Sequence, residues 1–279
     1  MVVEPSLPTH TVYRPQTLPE AAEGALPIVA WANGACVNYG NRFRYFLTEI
    51  ASHGYLAVAI GPPGSPALES TPALPPVIGQ SADPAERTPP THAVQLIDAI
   101  DWAIAQNSEP GSPYFRRLDT SKIAVMGQSC GGLQAIVAAA DPRVTTTMIW
   151  NSGTFEGRDG LPGAPATRAS LAGFHGPVAY ISGDESDVAF KNSEADFELI
   201  DQVPVFRAWK NGVGHSGTYR EAAGGAFAPV AIAWLDWHLK GRLQQAAMFV
   251  GRECALCTMP QWQVKTRGFE VFEGLGSAR

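Results

Sequence analysis

The pentapeptide Gly127-Gln128-Ser129-Cys130-Gly131 constrains this chain more than any other stretch. Before it stand Ile123-Ala124-Val125-Met126, four apolar residues suited to a buried strand. After it come Leu133 to Ala140, strong helix formers that Asp141-Pro142 stops. A serine between glycines at a strand-to-helix junction fits a turn too tight for side chains on its flanks, with the hydroxyl projecting above the sheet edge. The residue after the serine opens the helix, where free N–H groups and the helix dipole favour a developing negative charge. The spacing points to Ser129 as a nucleophile, with the Cys130 N–H as an oxyanion donor. The alternative is an ordinary glycine-rich turn of an α/β protein, which predicts no acid and histidine in order downstream.

The order of elements around this turn predicts a parallel sheet. Leu26 to Trp31 and Tyr55 to Ile60 are near-continuous apolar runs, the pattern of strands buried on both faces. Between them Phe43, Phe46, Leu47 and Ile50 fall on one helical face, and Gly54 is placed to end that helix. Residues 61 to 90 lack periodicity and read as a surface loop that either borders a cleft or is simply flexible. A helix from Thr91 to Gln106 follows, with a stripe of Val94, Ile97, Ile100 and Ile104. Beyond the Ser129 helix come a strand at Val144–Trp150, a loop from Asn151 to His175, and strands at Val178–Ser182 and Val203–Trp209. A last helix, Phe227 to Lys240, presents Val230, Trp234 and Trp237 to the sheet's other side. The expected fold class is α/β, a mostly parallel sheet with helices on both faces, in a single domain over 1–279 with a C-terminal extension from about 245.

An acid and a histidine do follow. Gly183-Asp184-Glu185-Ser186-Asp187 stands at the carboxyl end of a strand, the edge where parallel sheets gather ligand-binding and catalytic groups. Asp184, Glu185 and Asp187 are all candidates, or solvated turn acids. His215 sits in Gly212-Val213-Gly214-His215-Ser216-Gly217 directly after the next strand, placed to swing over the sheet edge; His10, His53, His92, His175 and His238 lack that setting.

Serine, then acid, then histidine is the chain order of the α/β-hydrolase triad, and from Leu26 to about Lys240 the chain resembles that superfamily. Trp31-Ala32-Asn33-Gly34-Ala35-Cys36 looks like its oxyanion loop, and Leu235 to Gly241 resembles the closing helix of the dienelactone-hydrolase, cutinase and polyester-hydrolase-like branches. The resemblance implies the α/β-hydrolase fold, Ser129 as nucleophile, His215 as base, and main-chain N–H of Ala35 or Cys36 with Cys130 as the oxyanion hole. Relatives commonly carry Gly-x-x-Asp, whereas here Asp184 directly follows Gly183 and Asp187 stands four residues after it. Asp187 is favoured as the acid because Asp187-Val188-Ala189 and the helical segment beyond it resemble the relatives' acid turn; Asp184 is the alternative.

The implied activity is carboxylic-ester hydrolysis through an acyl-enzyme, with no cofactor and no metal. It extends to aromatic or polyester-type esters if Trp150 walls the cleft, as in cutinase-like enzymes; a tryptophan at a strand end equally packs a core. Tyr39 is a second candidate for that wall, ahead of Phe43 and Tyr219. The competing readings are a peptidase or thioesterase on the same triad, and a non-catalytic binding member of the fold.

A net charge of -6 with 16% charged residues carries no basic footprint for nucleic acid, so a small-molecule or polymeric ester is the expected partner. No run of ~18 apolar residues predicts a membrane span. The stretch Met1 to Pro8 lacks the basic-then-apolar pattern of a signal peptide.

Four cysteines, Cys36, Cys130, Cys254 and Cys257, allow three pairings. The resemblance puts Cys36 and Cys130 beside the two oxyanion donors, close to the ~5.5 Å Cα separation a disulfide prefers. Cys254 and Cys257 would then pair locally; the alternative is four reduced thiols. One C-x-x-C without nearby histidines offers too few ligands for zinc. Bridges would imply a secreted or periplasmic protein, reduced thiols a cytoplasmic one.

Overall fold

The computed structural model describes residues 1–20, 24–64, 91–157 and 159–269; the expected 61–90 loop lies outside them beyond residue 64. Among these residues eight strands form one sheet: β1 (His10–Tyr13), β2 (Leu26–Ala32), β3 (Leu56–Ile60), β4 (Leu118–Gln128), β5 (Thr146–Trp150), β6 (Val178–Gly183), β7 (Val205–Lys210) and β8 (Trp262–Arg267). Their order is β1-β3-β2-β4-β5-β6-β7-β8, parallel throughout except for the two antiparallel edges, β1 on β3 and β8 on β7. Among the described residues the α-helices are α1 (Arg44–Ser52), α2 (Val94–Ser108), α3 (Cys130–Ala138), α4 (Phe190–Leu199), α5 (Phe227–His238) and the short α6 (Ala255–Thr258).

Strand residues alternate between two cores. On one face Ile28, Val58, Ile123, Val125 and Ile149 pack with Leu96 and Ile100 of α2 and Leu133 and Ile136 of α3. On the other, Trp31, Ala124, Met126, Met148 and Phe206 pack with Phe46 and Leu47 of α1 and Trp234 of α5. The side-chain period of two therefore sends neighbouring residues of β4 into opposite layers, each closed by helices. The chain is thus an α/β protein with a mixed, mostly parallel sheet covered on both faces. Among the described residues no helix is long and apolar enough to cross a membrane.

The structure corrects one detail and adds two. Val94 is 59% exposed, and α2 buries Leu96, Ala99, Ile100, Trp102 and Ala103 instead. Six residues before Ile100, Val94 lies about 240° around the helix and so faces away from the sheet. The segment read as an extension supplies β8, whose Gln263 pairs with Trp209 of β7. Both edge strands escaped the sequence reading: β1 is four residues long, and β8 is only partly buried, so neither carries a long apolar run.

His238, in the last turn of α5, lies with its ring centroid 4.3 Å from those of both Trp234 and Trp237. Its Nε2 has no hydrogen-bond partner among the described residues, and burial pushes the imidazole down to about 3. The ring stays neutral in the fold but takes up a proton in the unfolded chain below about pH 6.5. Stability is then complete above that pH and is lost as pH falls towards 3, by up to about 1.4 kcal/mol per pH unit from this group. His238→Phe should flatten the acid side of the stability curve in urea unfolding series at pH 4 to 7. An unchanged pH dependence would refute this account.

Candidate active site

The strand order reverses at one place. From β2 the chain moves outward to β3, and from β4 it moves outward the other way through β5 to β8. Loops leaving the carboxyl ends of β2 and β4 therefore diverge and open a crevice between them. β2 runs through Asn33 into the turn Gly34–Cys36, and β4 runs into Ser129, which caps α3.

Ser129 has φ 54 and ψ −119, a strained backbone for a residue with a side chain. The glycines around it explain how the turn fits. A Cβ on Gly127 would lie 2.1 Å from Gly131 O, and one on Gly131 would lie 2.1 Å from Ala32 O. Ser129 N–H donates to Trp150 O at 2.9 Å, and Ser152 Oγ donates to Ser129 O at 2.7 Å. The hydroxyl is left facing the crevice.

His215 Nε2 lies 2.8 Å from Ser129 Oγ, and its Nδ1 lies 2.6 Å from Asp187 Oδ1. An ionised carboxylate only accepts, which places the ring proton on Nδ1 and leaves Nε2 to accept the serine hydroxyl. The loop of His215 is tied from below: Gln128 Nε2 donates to His215 O at 3.0 Å, and Asp184 N–H donates to Val213 O at 2.9 Å.

Asp187 is 2% exposed. Burial alone would raise its pKa, but the His215 ring, the Ala189 N–H and the Asn151 amide donate to it and hold it below the usual carboxylate range. Gly183 N–H adds a fourth donor at 3.2 Å. Asp184 is instead held by its own turn, accepting from Ser186 Oγ at 2.7 Å and from Gly212 N–H at 2.6 Å. It does not meet His215, and Glu185 is exposed.

Ala35 and Cys36 both adopt positive φ, 56 and 49. Buried Asn33 fixes the strand end before them, its Nδ2 reaching Val37 O, Tyr39 O and Ile60 O at 3.2, 3.1 and 2.7 Å. Cys36 is bonded to Cys130 with a Cα separation of 5.3 Å, and Cys254 to Cys257 with 4.9 Å. In the first turn of α3, the N–H groups of Gly132 and Leu133 donate back to Ser129 O. The Cys130 N–H has no acceptor among the described residues.

A cavity of about 100 Å³ adjoins Ser129 and His215, lined by Cys130, Leu133, Phe155, Leu161, Val188 and Ala189, with Asn151, Ser152, Gly153 and Asn192. Trp150 is not on its wall: it is fully buried, its ring 5.2 Å from Phe46 and 5.6 Å from Phe227. Ser129 N–H takes only the Trp150 carbonyl, while the strand alternation turns the indole into the α1–α5 core. Phe43 and Tyr219 are buried in the same cluster. Tyr39 is half-buried and is not among the described residues that line the cavity.

Two residues at the site were not singled out from the sequence for this role. Asn151, at φ 43, donates to Asp187 Oδ2 at 2.7 Å and accepts at Oδ1 from Tyr219 O–H at 2.5 Å. The available signal is an asparagine directly after a strand, the residue type that best tolerates a left-handed backbone.

The chain Tyr219–Asn151–Asp187 has a measurable consequence for stability. Asn151→Ala strips a donor from a buried carboxylate and orphans the Tyr219 hydroxyl, and should cost about 2–3 kcal/mol. Tyr219→Phe removes one neutral bond and should cost about 1 kcal/mol. Urea unfolding of both variants checks the ranking, and a larger loss for Tyr219→Phe would mean that the Tyr219 hydroxyl, not the Asn151 amide, contributes most to this chain of bonds.

No protein-family model and no curated protein matches this chain.

Proposed function

We propose that the protein is a serine carboxylic-ester hydrolase of the α/β-hydrolase type, with Ser129, His215 and Asp187 as its triad. The observation that carries this reading is the unbroken hydrogen-bond chain from Ser129 Oγ through the imidazole to a buried, ionised carboxylate, at 2.8 and 2.6 Å. The eight-stranded sheet, with its serine turn beside the reversal of strand order, supports the same reading.

In this mechanism Ser129 Oγ attacks the ester carbonyl carbon as His215 Nε2 takes its proton. The carbonyl oxygen becomes an oxyanion facing the N–H of Cys130 and that of Ala35 or Cys36. His215 then passes the proton to the alkoxide leaving group, and the acyl group stays on Ser129. Water, giving a proton to the same nitrogen, attacks the acyl carbon; the bond to Ser129 Oγ then breaks, the acid leaves, and His215 returns the proton to Ser129 Oγ. Asp187 remains ionised throughout, holding the Nδ1–H tautomer and the imidazolium that forms at each step.

The small cavity lined by Leu133, Phe155 and Leu161 favours short acyl groups. An aromatic acyl group would meet Phe155 rather than Trp150. The two disulfides favour a secreted or periplasmic setting.

A fluorophosphonate should label Ser129 in the wild type and leave Ser129→Ala unmodified, and p-nitrophenyl acetate to butyrate should be hydrolysed faster than the octanoate. A wild-type chain that neither labels nor hydrolyses any of these esters would leave only the binding-protein reading. An aminoacyl p-nitroanilide or a thioester turned over faster than the esters would move the assignment to a peptidase or thioesterase. Within the triad, Asp187→Asn should lower kcat by about 10⁴-fold through loss of the correct tautomer. Asp184→Asn should stay within a few fold, and the reverse ranking would transfer the acid's role to Asp184.

A further inference from the structure

The Cys36–Cys130 bond joins the two loops that diverge from the reversal of strand order. β2 and β4 are last paired at Ala32 and Gly127, after which one chain turns through Gly34–Cys36 and the other through Ser129. Cys36 stands four residues beyond the first of these and Cys130 three beyond the second, so the disulfide closes the gap above the last ladder pair. Its ends are also the candidate oxyanion donors or their immediate neighbours: Cys130 carries one N–H, and Cys36 adjoins Ala35 or carries the other. Both sulfur-bearing residues are nearly closed to solvent, at 2% and 5% exposure, and Cys130 lines the cavity beside Ser129.

The loop bearing Cys36 needs holding. Ala35 and Cys36 are two successive residues with side chains at positive φ, each less favourable than an ordinary backbone. Thr91 holds one side of this turn, its N–H and Oγ1 donating to Cys36 O at 3.0 and 3.2 Å. On the side facing α3, the covalent tie is the disulfide.

We propose that the Cys36–Cys130 disulfide is a positioning element of the acyl-transfer site, fixing the separation of the two oxyanion donors so that opening it costs turnover rather than substrate binding. This rests on the serine-hydrolase reading above. A donor displaced by an ångström still lets the ester enter, because Ser129 and the apolar residues Leu133, Phe155 and Leu161 that line the cavity with Cys130 are not part of the bond. It meets the oxyanion poorly, and that charge exists only along the reaction path.

The test uses the full chain with Cys254→Ser and Cys257→Ser, which opens the remote bridge and should keep wild-type kcat. In that background the Cys36–Cys130 bond is opened in three ways: by Cys36→Ser with Cys130→Ser, by Cys36→Ala with Cys130→Ala, and by dithiothreitol. The dithiol supplies two electrons and two protons, yielding two protein thiols as it closes to its own cyclic disulfide. Each form is assayed on p-nitrophenyl acetate at a temperature where near-UV circular dichroism shows native packing. The expected result is a fall in kcat of about 10²-fold, with KM within about threefold, and recovery on reoxidation of the dithiol-treated form.

Folded forms that turn over at the parent rate would overturn the positioning role. So would a rise in KM at constant kcat, or the loss of native packing in all three forms, which would make the bond a support of the fold. A wild type that hydrolyses no acyl substrate at all would instead remove the hydrolase reading, and the inference with it.

Discussion

The arrangement depends on two backbones meeting without side chains between them. At the carboxyl ends of β2 and β4, Gly127 lies against Gly131 and Gly131 against the Ala32 carbonyl, and a Cβ on Gly34 would fall 1.9 Å from the Gln128 side-chain oxygen. At the two backbone contacts, of Gly127 and of Gly131, no other residue type fits, and only at this spacing can α3 begin directly over the strand that feeds it. Everything offered at the crevice follows from that approach. Ser129 is forced into a positive-φ turn with its hydroxyl outward, the Cys130 N–H that opens α3 is left without an acceptor among the described residues, and the Gly34–Cys36 turn is close enough to be bonded to Cys130.

A second constraint is electrostatic. A carboxylate taken out of water is costly unless donors replace its hydration, and Asp187 is given four: a ring N–H, two main-chain N–H groups and an amide. Two of them come from its own acid turn. The others come from the ends of β5 and β7, so the same hydrogen bonds that keep the acid ionised also bind three strand ends together. Asn151 can serve because its backbone turns left-handed at the end of β5, aiming the amide at Asp187 while the preceding Trp150 goes into the core.

Beneath this polar layer lies an aromatic one. Trp31, Phe43, Phe46, Trp150, Tyr219 and Phe227 meet edge to face or tilted at centroid distances of 5.0 to 6.2 Å. Large rigid rings in such contact leave little freedom to what stands on them. Tyr219 bridges the two layers, with its ring in the cluster and its hydroxyl on Asn151. The tryptophan that resembled a cleft wall thus belongs to the support of the site, and the cavity beside Ser129 is lined by smaller apolar residues with Phe155 as its aromatic.

The sequence by itself determined the parts that follow from local rules. The apolar runs of β2 to β7 declare buried strands, the glycines at 127 and 131 declare a turn that exposes a serine, and a histidine among glycines declares a loop free to reach over the sheet edge. Tertiary structure alone decided what depends on partners distant in the chain. Asp184 and Asp187 share one turn and one composition, and only the folding of β7 beside β6 shows that one is sealed against His215 while the other caps the surface. β8 pairs through main-chain bonds that leave little mark on residue type, and β1 is too short to show a period. Which way Trp150 faces, whether Cys36 meets Cys130 across 94 residues, and that Asn151 completes the acid's shell all turn on the register of strands laid side by side. Register is a property of the assembled sheet, not of any one segment within it.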